Sequence, residues 1–399
     1  MSKIDELIKQ YCPNGVEYKR INEFSNYLNG MTGVNNKWAD DGNCQFIDYM
    51  NVYKHLVIDV NDLPCATVKT VDKQTTLQKG DVLFTSASET PDECALSAVI
   101  EDDIRDGVFM DDHLFGIRIN DDFKDALLPS YLKYAFRSHS FRESVDKSVR
   151  GVTRHYVSKP DFMKLFVPVP PLSVQQEIVR ILDTFTELTA ELTAELTARK
   201  LQYSYYRDKL LTFDDDVERK TLPEISINCD GKRRPVTSGK RIAGRYPYYG
   251  ASGIVDYVDQ YIYDGDYLLI SEDGANLTAR STSIAFSIKG KNWVNNHAHV
   301  IKFKNIYTQK FVENYLESMD LTPYISGAAQ PKLNQQNLNS IPIPFPSLEK
   351  QKEIVDKLDV FSEITSDLGK GLPKEIELRT KQYEYYRDKL LNFKRKDDA

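Results

Sequence analysis

Cysteine is scarce and scattered: five in 399 residues, at Cys12, Cys44, Cys65, Cys94 and Cys229, with no CxxC pair. The odd count and wide spacing exclude a disulfide framework and a cysteine zinc site, leaving reduced, structural thiols as the expectation. No apolar run approaches the roughly 18 residues that cross a bilayer. The opening MSKIDELIKQ is charged within its first turn, so a soluble, cytoplasmic chain with no membrane partner is expected. Catalytic signatures are missing as well. There is no GxxxxGKS/T to cradle nucleotide phosphates and no HExxH for a catalytic zinc. Nor is there an Asn/Asp-Pro-Pro-aromatic tetrapeptide of the kind that grips a flipped base during amino-methyl transfer; the one Pro-Pro pair, in VPPLS, has the wrong flanks. HAH at 297 to 299 aligns with a stretch reading His113, Leu114 and Phe115, so alternating strand positions explain it better than a metal does. The chain is expected to hold no metal and to do no covalent chemistry itself.

Net positive charge is also missing. The formal charge is −7, which on average argues against a polyanionic partner. The distribution argues otherwise. Residues 133 to 164 carry eight Lys/Arg against three acids (Glu143, Asp146, Asp161), and KRRPVTSGKRIAGR at 232 to 245 has six basic residues and no acid. One basic stretch in each half makes a better footprint for nucleic acid than the total suggests, although basic runs are commonly solvated surface.

What the chain has in plenty is repetition. YYRDKLL stands at 205 to 211 and again at 385 to 391, an offset of 180. Upstream, QQEIVRILDTFTELT (175 to 189) pairs with QKEIVDKLDVFSEIT (351 to 365) at an offset of 176. The four-residue difference falls where the first copy reads TAELTAELTA. Ile178, Leu182, Phe185, Leu188, Leu192 and Leu196 recur at steps of three and four, as do Ile354, Leu358, Phe361, Ile364 and Leu368, which predicts two long amphipathic helices. Each follows a proline-rich lead, VPVPPLS and IPIPFPSLE. Starts near 173 and 347, with Ser173 or Ser347 as caps, are expected. The first helix is expected to run to about Phe213, whereas Gly369, Gly371 and Pro373 should break or kink the second.

Residues 214 to 346 alternate aromatic and β-branched positions with Gly and Asp turns, and residues 1 to 172 echo them. LQKGDVLFTSA (77 to 87) parallels YDGDYLLISED (263 to 273). FMDDHLFGIRI (109 to 119) parallels WVNNHAHVIKF (293 to 303), with His113 opposite His297, and Gly151 aligns with Gly327 at the 176 offset. The order is globule, helix, globule, helix. If one helix leads out and the other back, they are antiparallel, and two globules held apart suit two DNA half-sites about one turn apart.

Taken together, PLSVQQEIV…YYRDKLLTF, its second copy, YYGASGIVDYV…DGDYLLISEDGA and the TAEL tetrapeptides resemble the specificity subunit (HsdS) of type I restriction-modification systems. The likeness covers nearly the whole chain. It implies an α+β fold: two β-rich target-recognition globular domains (1–172 and 214–346) joined by two long antiparallel helical spacer regions (173–213 and 347–399) in a pseudo-twofold internal repeat. It also implies a non-enzymatic chain that reads an asymmetric bipartite site on double-stranded DNA. Two copies of a modification (methyltransferase) subunit would dock on it, with two copies of a restriction/translocase subunit where the system retains one. S-adenosylmethionine, ATP and Mg would sit on those partners. The TAEL copies would set the spacer between half-sites, since four residues advance a helix by about 6 Å while turning it only about 40°.

Base edges are read by Arg or Lys on guanine and Asn or Gln on adenine, with other cations and small hydroxyls on phosphate. In the first domain the candidates are Arg150, Thr153, Arg154, His155 and Lys159 in RGVTRHYVSK, then Ser86 and Ser88. In the second they are Arg233, Arg234, Lys240, Arg241 and Arg245; Tyr248, Tyr249 and Ser252; Asp273, Gly274 and Asn276; and Gln330, Lys332, Asn334 and Gln335. Tyr206, Leu210 and Phe213, with Tyr386, Leu390 and Phe393, are expected to pack the helix ends, leaving Arg207, Asp208, Arg387 and Asp388 for partner subunits. Two other readings stand beside this one: a self-sufficient DNA methyltransferase, against which the missing motifs weigh, and a structural coiled-coil adaptor whose globules bind protein or glycan.

Overall fold

The computed structural model describes residues 3–327, 330–365 and 371–396. The chain divides into two compact units, Met1–Glu191 with Ile376–Ala399 and Leu192–Glu375. Each unit therefore takes in a half of each helical region, a different partition from the four consecutive segments expected. Among the described residues no helix is long and apolar enough to cross a membrane, and all five cysteines are free thiols.

In unit 1 an antiparallel four-stranded sheet runs Ser25–Asn29, Leu114–Ile119, Val82–Thr85, Ser97–Val99. A second sheet orders Val34–Lys37, Cys65–Val68, Cys44–Ile47 and Val108–Met110, the last pair parallel. Unit 2 repeats the first and holds a second four-stranded sheet of different strand order. Its first sheet is Ser226–Asn228, Ala298–Phe303, Tyr267–Ser271, Ala285–Ile288; its second is Gly253–Val258, Ala243–Gly250, Lys291–Val294, Tyr263–Asp264, again with one parallel pair. The central strands VLFT and YLLIS are buried along their whole length, as continuous apolar runs covered on both faces should be. In unit 1, Phe84 lies 4.9–5.1 Å from the rings of Phe115, Phe136 and Phe162, and this aromatic group fills the core. Both units are closed by their own ends: Glu17–Arg20 pairs with Phe166–Val169, and Arg219–Lys220 with Ile343–Pro344.

The first long helix is Leu172–Leu211; the second region forms helices Leu348–Thr365 and Gly371–Leu391. Ser347 caps as expected, its Oγ accepting from Lys350 N at 3.3 Å. The first helix starts ahead of Ser173, with the Pro171 carbonyl accepting from Val174 and Gln175. Gly369 and Leu368 lie outside the described residues. Gly371 has φ +70°, and a Cβ there would stand 2.5 Å from the Glu363 carbonyl oxygen, so glycine is required where the third helix begins. Pro373 falls in that helix's first turn, where a missing N–H is tolerated.

The repeated letters become repeated contacts. Val174, Ile178 and Leu182 are buried in the core of unit 1, and Ile354, Val355 and Leu358 in that of unit 2. Tyr386 stacks on Phe185 at 5.4 Å in unit 1, and Tyr206 on Phe361 at 5.6 Å in unit 2. Leu390 and Phe393 are buried, while Leu210 and Phe213 pack half-buried against their core. Lys133 pairs with Asp183 at 2.9 Å, and Lys310 with Asp359 at the matching place.

Two buried glutamines tie each helix start to its own unit. Gln175 donates to the Pro170 and Ala126 carbonyls at 2.7 and 2.8 Å and accepts from Leu128 N at 2.9 Å. Gln351 donates to Pro346 O at 2.8 Å and accepts from the Thr308 hydroxyl at 2.8 Å. Gln175→Leu keeps the volume but strands three backbone groups, one buried and two partly buried, so a loss of about 2 kcal/mol is expected in urea denaturation. Native stability in that variant would show that these bonds contribute nothing net.

Candidate nucleic-acid interface

The loop RGVTRHYVSK folds as a hairpin laid against the end of a core strand. Arg150 pairs with Tyr156, and Tyr156 with Ala87. Unit 2 reproduces this register: Ser326 pairs with Lys332, and Lys332 with Asp273. Gly151 (φ +107°) and Gly327 (φ +85°) make the same turn, where a Cβ would lie 2.0 Å from Arg154 O and 2.5 Å from Gln330 O respectively. On one frame the units thus carry different side chains: Arg150, Arg154, Tyr156 and Lys159 in the first, Ser326, Gln330, Lys332 and Gln335 in the second.

In unit 1 the structure brings Ser88, Thr153 and Arg154 together on a cavity of about 660 Å³, which Tyr49, Met50, Tyr53, Glu89, Glu93 and His113 also line. Ser88 and Tyr53 donate to the Glu93 carboxylate at 2.5 and 2.6 Å and hold its pKa below the ordinary range. Tyr49 and Tyr53 stack at 5.9 Å. The helix Tyr49–Lys54 and Glu89 were missed in the sequence, where nothing marks them as neighbours of a loop far along the chain. Ser86 donates to His113 O at 2.6 Å, a turn-fixing bond. Lys159 lies 5.3 Å over the Tyr27 ring, and burial lowers its pKa. Arg150 and Arg154 are exposed, and His155 is half-buried beside Ser88.

The basic runs supply fewer surface cations than their letters suggest. Lys133 is buried against Asp183 and Glu101. Arg137 donates to Ser97 O at 2.7 Å, and burial pulls its guanidinium down to about 10; Arg142 donates to Ala95 O and Cys94 O at 2.9 and 2.6 Å. In unit 2, Arg233 is committed to Glu272 at 2.5 Å and Asp230 at 3.3 Å, with its side chain 16% exposed. Arg241 pairs with Asp256 at 3.3 Å and lies 4.5 Å over Tyr248. Arg234, Lys240 and Arg245 are exposed.

Three further candidates are structural in their geometry. Tyr248 is buried, its hydroxyl accepting from Val236 N at 2.9 Å. Asn276 closes its own turn through Thr282 N and O, and Asn334 caps the helix Gln335–Asn339 by accepting from Asn337 N. Tyr249 is half-buried, while Ser252, Gly274, Gln330, Lys332 and Gln335 are exposed. Asp273 holds His297 at 2.8 Å. His299 is buried between Asp230 and the Leu333 carbonyl, a core histidine with both ring nitrogens engaged. Asp111, Asp112 and His113 are close enough to share a metal ion, but the Lys37 ammonium bonds both carboxylates. Burial would raise the Asp112 carboxyl, yet its contacts with Asp111 and Lys37 outweigh this and hold it down at about 2.

The arrangement is two copies of one scaffold, each carrying a different exposed set of donors and acceptors on the same hairpin. The profile of the type I restriction modification DNA specificity domain matches residues 13–199 and again 214–378. The chain belongs to this family. It is 43% identical over 191 residues to a putative type I restriction enzyme specificity subunit of Haemophilus influenzae, a stretch that is 47% of this chain and 49% of that one. It is 36% identical over 269 residues to the EcoR124I/EcoR124II specificity subunit of Escherichia coli, covering 60% of this chain and 66% of that one. The fold is that of the crystallised type I restriction-modification S subunit of M. genitalium, at a TM-score of 0.58 and 16% identity over 94% of this chain and 96% of that one.

Within this specificity family member, the heptapeptide copies expose matching side chains. Tyr205 and Tyr385 are each 61% exposed, with Lys209 and Lys389 about 6 Å from their rings. Neither tyrosine stood among the sequence candidates. Arg207 and Arg387 each pair with the following aspartate at 2.9 Å and lie over Tyr203 and Tyr383. Asp388 also accepts from His139 N at 3.0 Å, capping a helix of unit 1, so its side chain is 36% exposed against 58% for Asp208. The Arg-Asp pairs are therefore less equivalent than their letters, and the tyrosines more so.

Proposed function

We propose that this chain is the DNA-recognition subunit of a type I restriction-modification complex, acting in the cytoplasm on double-stranded DNA. Each unit reads one half of an asymmetric, bipartite target. The observation that carries this reading is the duplicated hairpin frame bearing unlike side chains, because one frame places both readers alike while different donors and acceptors select different bases. Methyl transfer, and translocation with cleavage where a nuclease subunit is present, belong to partners that bind S-adenosylmethionine, ATP and Mg. Two modification subunits would dock on equivalent surfaces, for which the equally exposed Tyr205 and Tyr385 are the best matched pair.

The test is an exchange of residues 214–346 for the corresponding segment of a relative. The pairing of Arg219–Lys220 with Ile343–Pro344 brings the two ends of that segment together, so the graft can leave the helices untouched. In cells carrying the hybrid with its methyltransferase subunit, methylome sequencing should find one half of the motif changed and the other intact. A change in both halves would sink the modular reading.

A further inference from the structure

Apart from the turn glycines Gly151 and Gly327, every hairpin position compared above differs between the units, yet both keep a histidine, His113 and His297, at the turn before the strands Leu114–Ile119 and Ala298–Phe303. The backbone around the two is the same. His113 N donates to Asp111 Oδ1 at 2.7 Å and His297 N to Asn295 Oδ1 at 2.8 Å. Their carbonyls accept from Ser86 N at 3.0 Å and Glu272 N at 2.9 Å, matching positions at the end of the neighbouring strand. Both side chains are about half exposed, at 49% and 50%.

Each ring faces a carboxylate, though from a different element. His113 Nδ1 lies 3.0 Å from Asp111 and 2.9 Å from Asp112, with the Lys37 ammonium sharing those carboxylates 3.3 Å away. His297 Nδ1 lies 2.8 Å from Asp273, which comes from the strand end rather than from the turn. In each unit a carboxylate thus faces the same ring nitrogen. A carboxylate at Nδ1 keeps the proton there and leaves Nε2 as an acceptor in the neutral imidazole. Among the described residues Nε2 makes no bond in either histidine.

In unit 1 the surroundings bear on the kind of group Nε2 meets. His113 lines the cavity with Thr153, Arg154, Glu89 and Glu93, where two carboxylates outnumber one guanidinium, which favours a donor over a phosphate. In the major groove the donors are the exocyclic amino groups of adenine N6 and cytosine N4. We propose that His113 and His297 are specificity-determining residues, each accepting through Nε2 a hydrogen bond from the amino group of an adenine or cytosine in its own unit's half-site. The proposal rests on the DNA-recognition reading above.

The test uses the assembled complex on target duplexes in which single adenines are replaced by a purine lacking the N6 amino group, or single cytosines by a pyrimidinone lacking the N4 amino group. The native complex should lose affinity about tenfold at one such position in each half-site, the loss of one hydrogen bond. The arm that responds identifies the base. His113→Ala should lose about tenfold on the unmodified duplex and no more when the amino group in its half-site is removed; His297→Ala should do the same in the other half-site. His113→Gln, whose amide oxygen reaches a similar place, should recover part of the affinity. Native affinity in both alanine variants would overturn the proposal, as would variants that bind weakly but keep the native sensitivity to every amino deletion. If the native complex preferred no sequence at all, the recognition reading itself would fail instead.

Discussion

Gly151→Val is expected to abolish recognition of one half-site and Gly327→Val the other, each without unfolding the protein. At +107° and +85° both glycines occupy backbone conformations that a β-branched residue avoids, at about 1–3 kcal/mol for the dihedral alone. The steric conflict is worse. A Cβ at residue 151 would sit 2.0 Å from a backbone oxygen of Arg154, and at residue 327 it would sit 2.5 Å from that of Gln330. The turn must therefore open, and the residues it displaces are the exposed ones: Thr153 and Arg154 in unit 1, Gln330 and Lys332 in unit 2. The core is distant from this change, since Val152 at the hairpin tip is 94% exposed. Loss of two or three polar base contacts corresponds to at least 100-fold in affinity for the affected half. Binding to duplexes mutated in one half or the other, with thermal unfolding as the control for folding, measures this. Native affinity in a stably folded Gly151→Val variant would remove the hairpin from the DNA interface.

The frame was legible in the sequence because it is written twice. Offsets of 176 and 180 residues located both helices and matched Gly151 to Gly327, the parallel of FMDDHLFGIRI with WVNNHAHVIKF set His113 opposite His297, and both residue pairings reappear as equivalent backbone geometry. The fate of individual charges was not legible. Arg154 and Arg137 look alike in a basic run, but one is exposed while the other is drawn inside to satisfy the Ser97 carbonyl. That distinction depends on which distant strand passes nearby, and local composition holds no record of it. The pairing of Arg233 was hidden for the same reason, since Glu272 lies 39 residues away in the chain. The cavity residues Tyr49, Tyr53 and Glu93 went unnoticed because aromatic residues on a short helix read as core, and only tertiary folding sets them beside Ser88.

Deleting Thr193 to Leu196 is expected to leave both half-sites unchanged while shortening the unread spacer between them. The deletion lies within one continuous helix, Leu172–Leu211, beside the point where unit 1 gives way to unit 2 between Glu191 and Leu192. Leu188, Leu192 and Leu196 are half-buried there, while Ala194 and Glu195 are exposed, so a single leucine stripe carries the packing. Four residues correspond to about 6 Å of helix and about 40° of rotation, which a stripe repeating every fourth residue absorbs. The deletion also removes Glu195 from its pair with Arg199, but Glu191 then stands four residues before Arg199 in its place, so this solvent-exposed pair can re-form. On DNA, 6 Å is between one and two base pairs at about 3.4 Å each, so the methylated motif should keep both halves and lose that much of its spacer. Removing only two of these residues would turn the stripe by about 200° and point the leucines of one half away from their partners, at a cost in stability and assembly. Methylome sequencing of the four-residue deletion decides between the alternatives. An active variant whose spacer kept its original length would show that the distance is set elsewhere than in the TAEL copies.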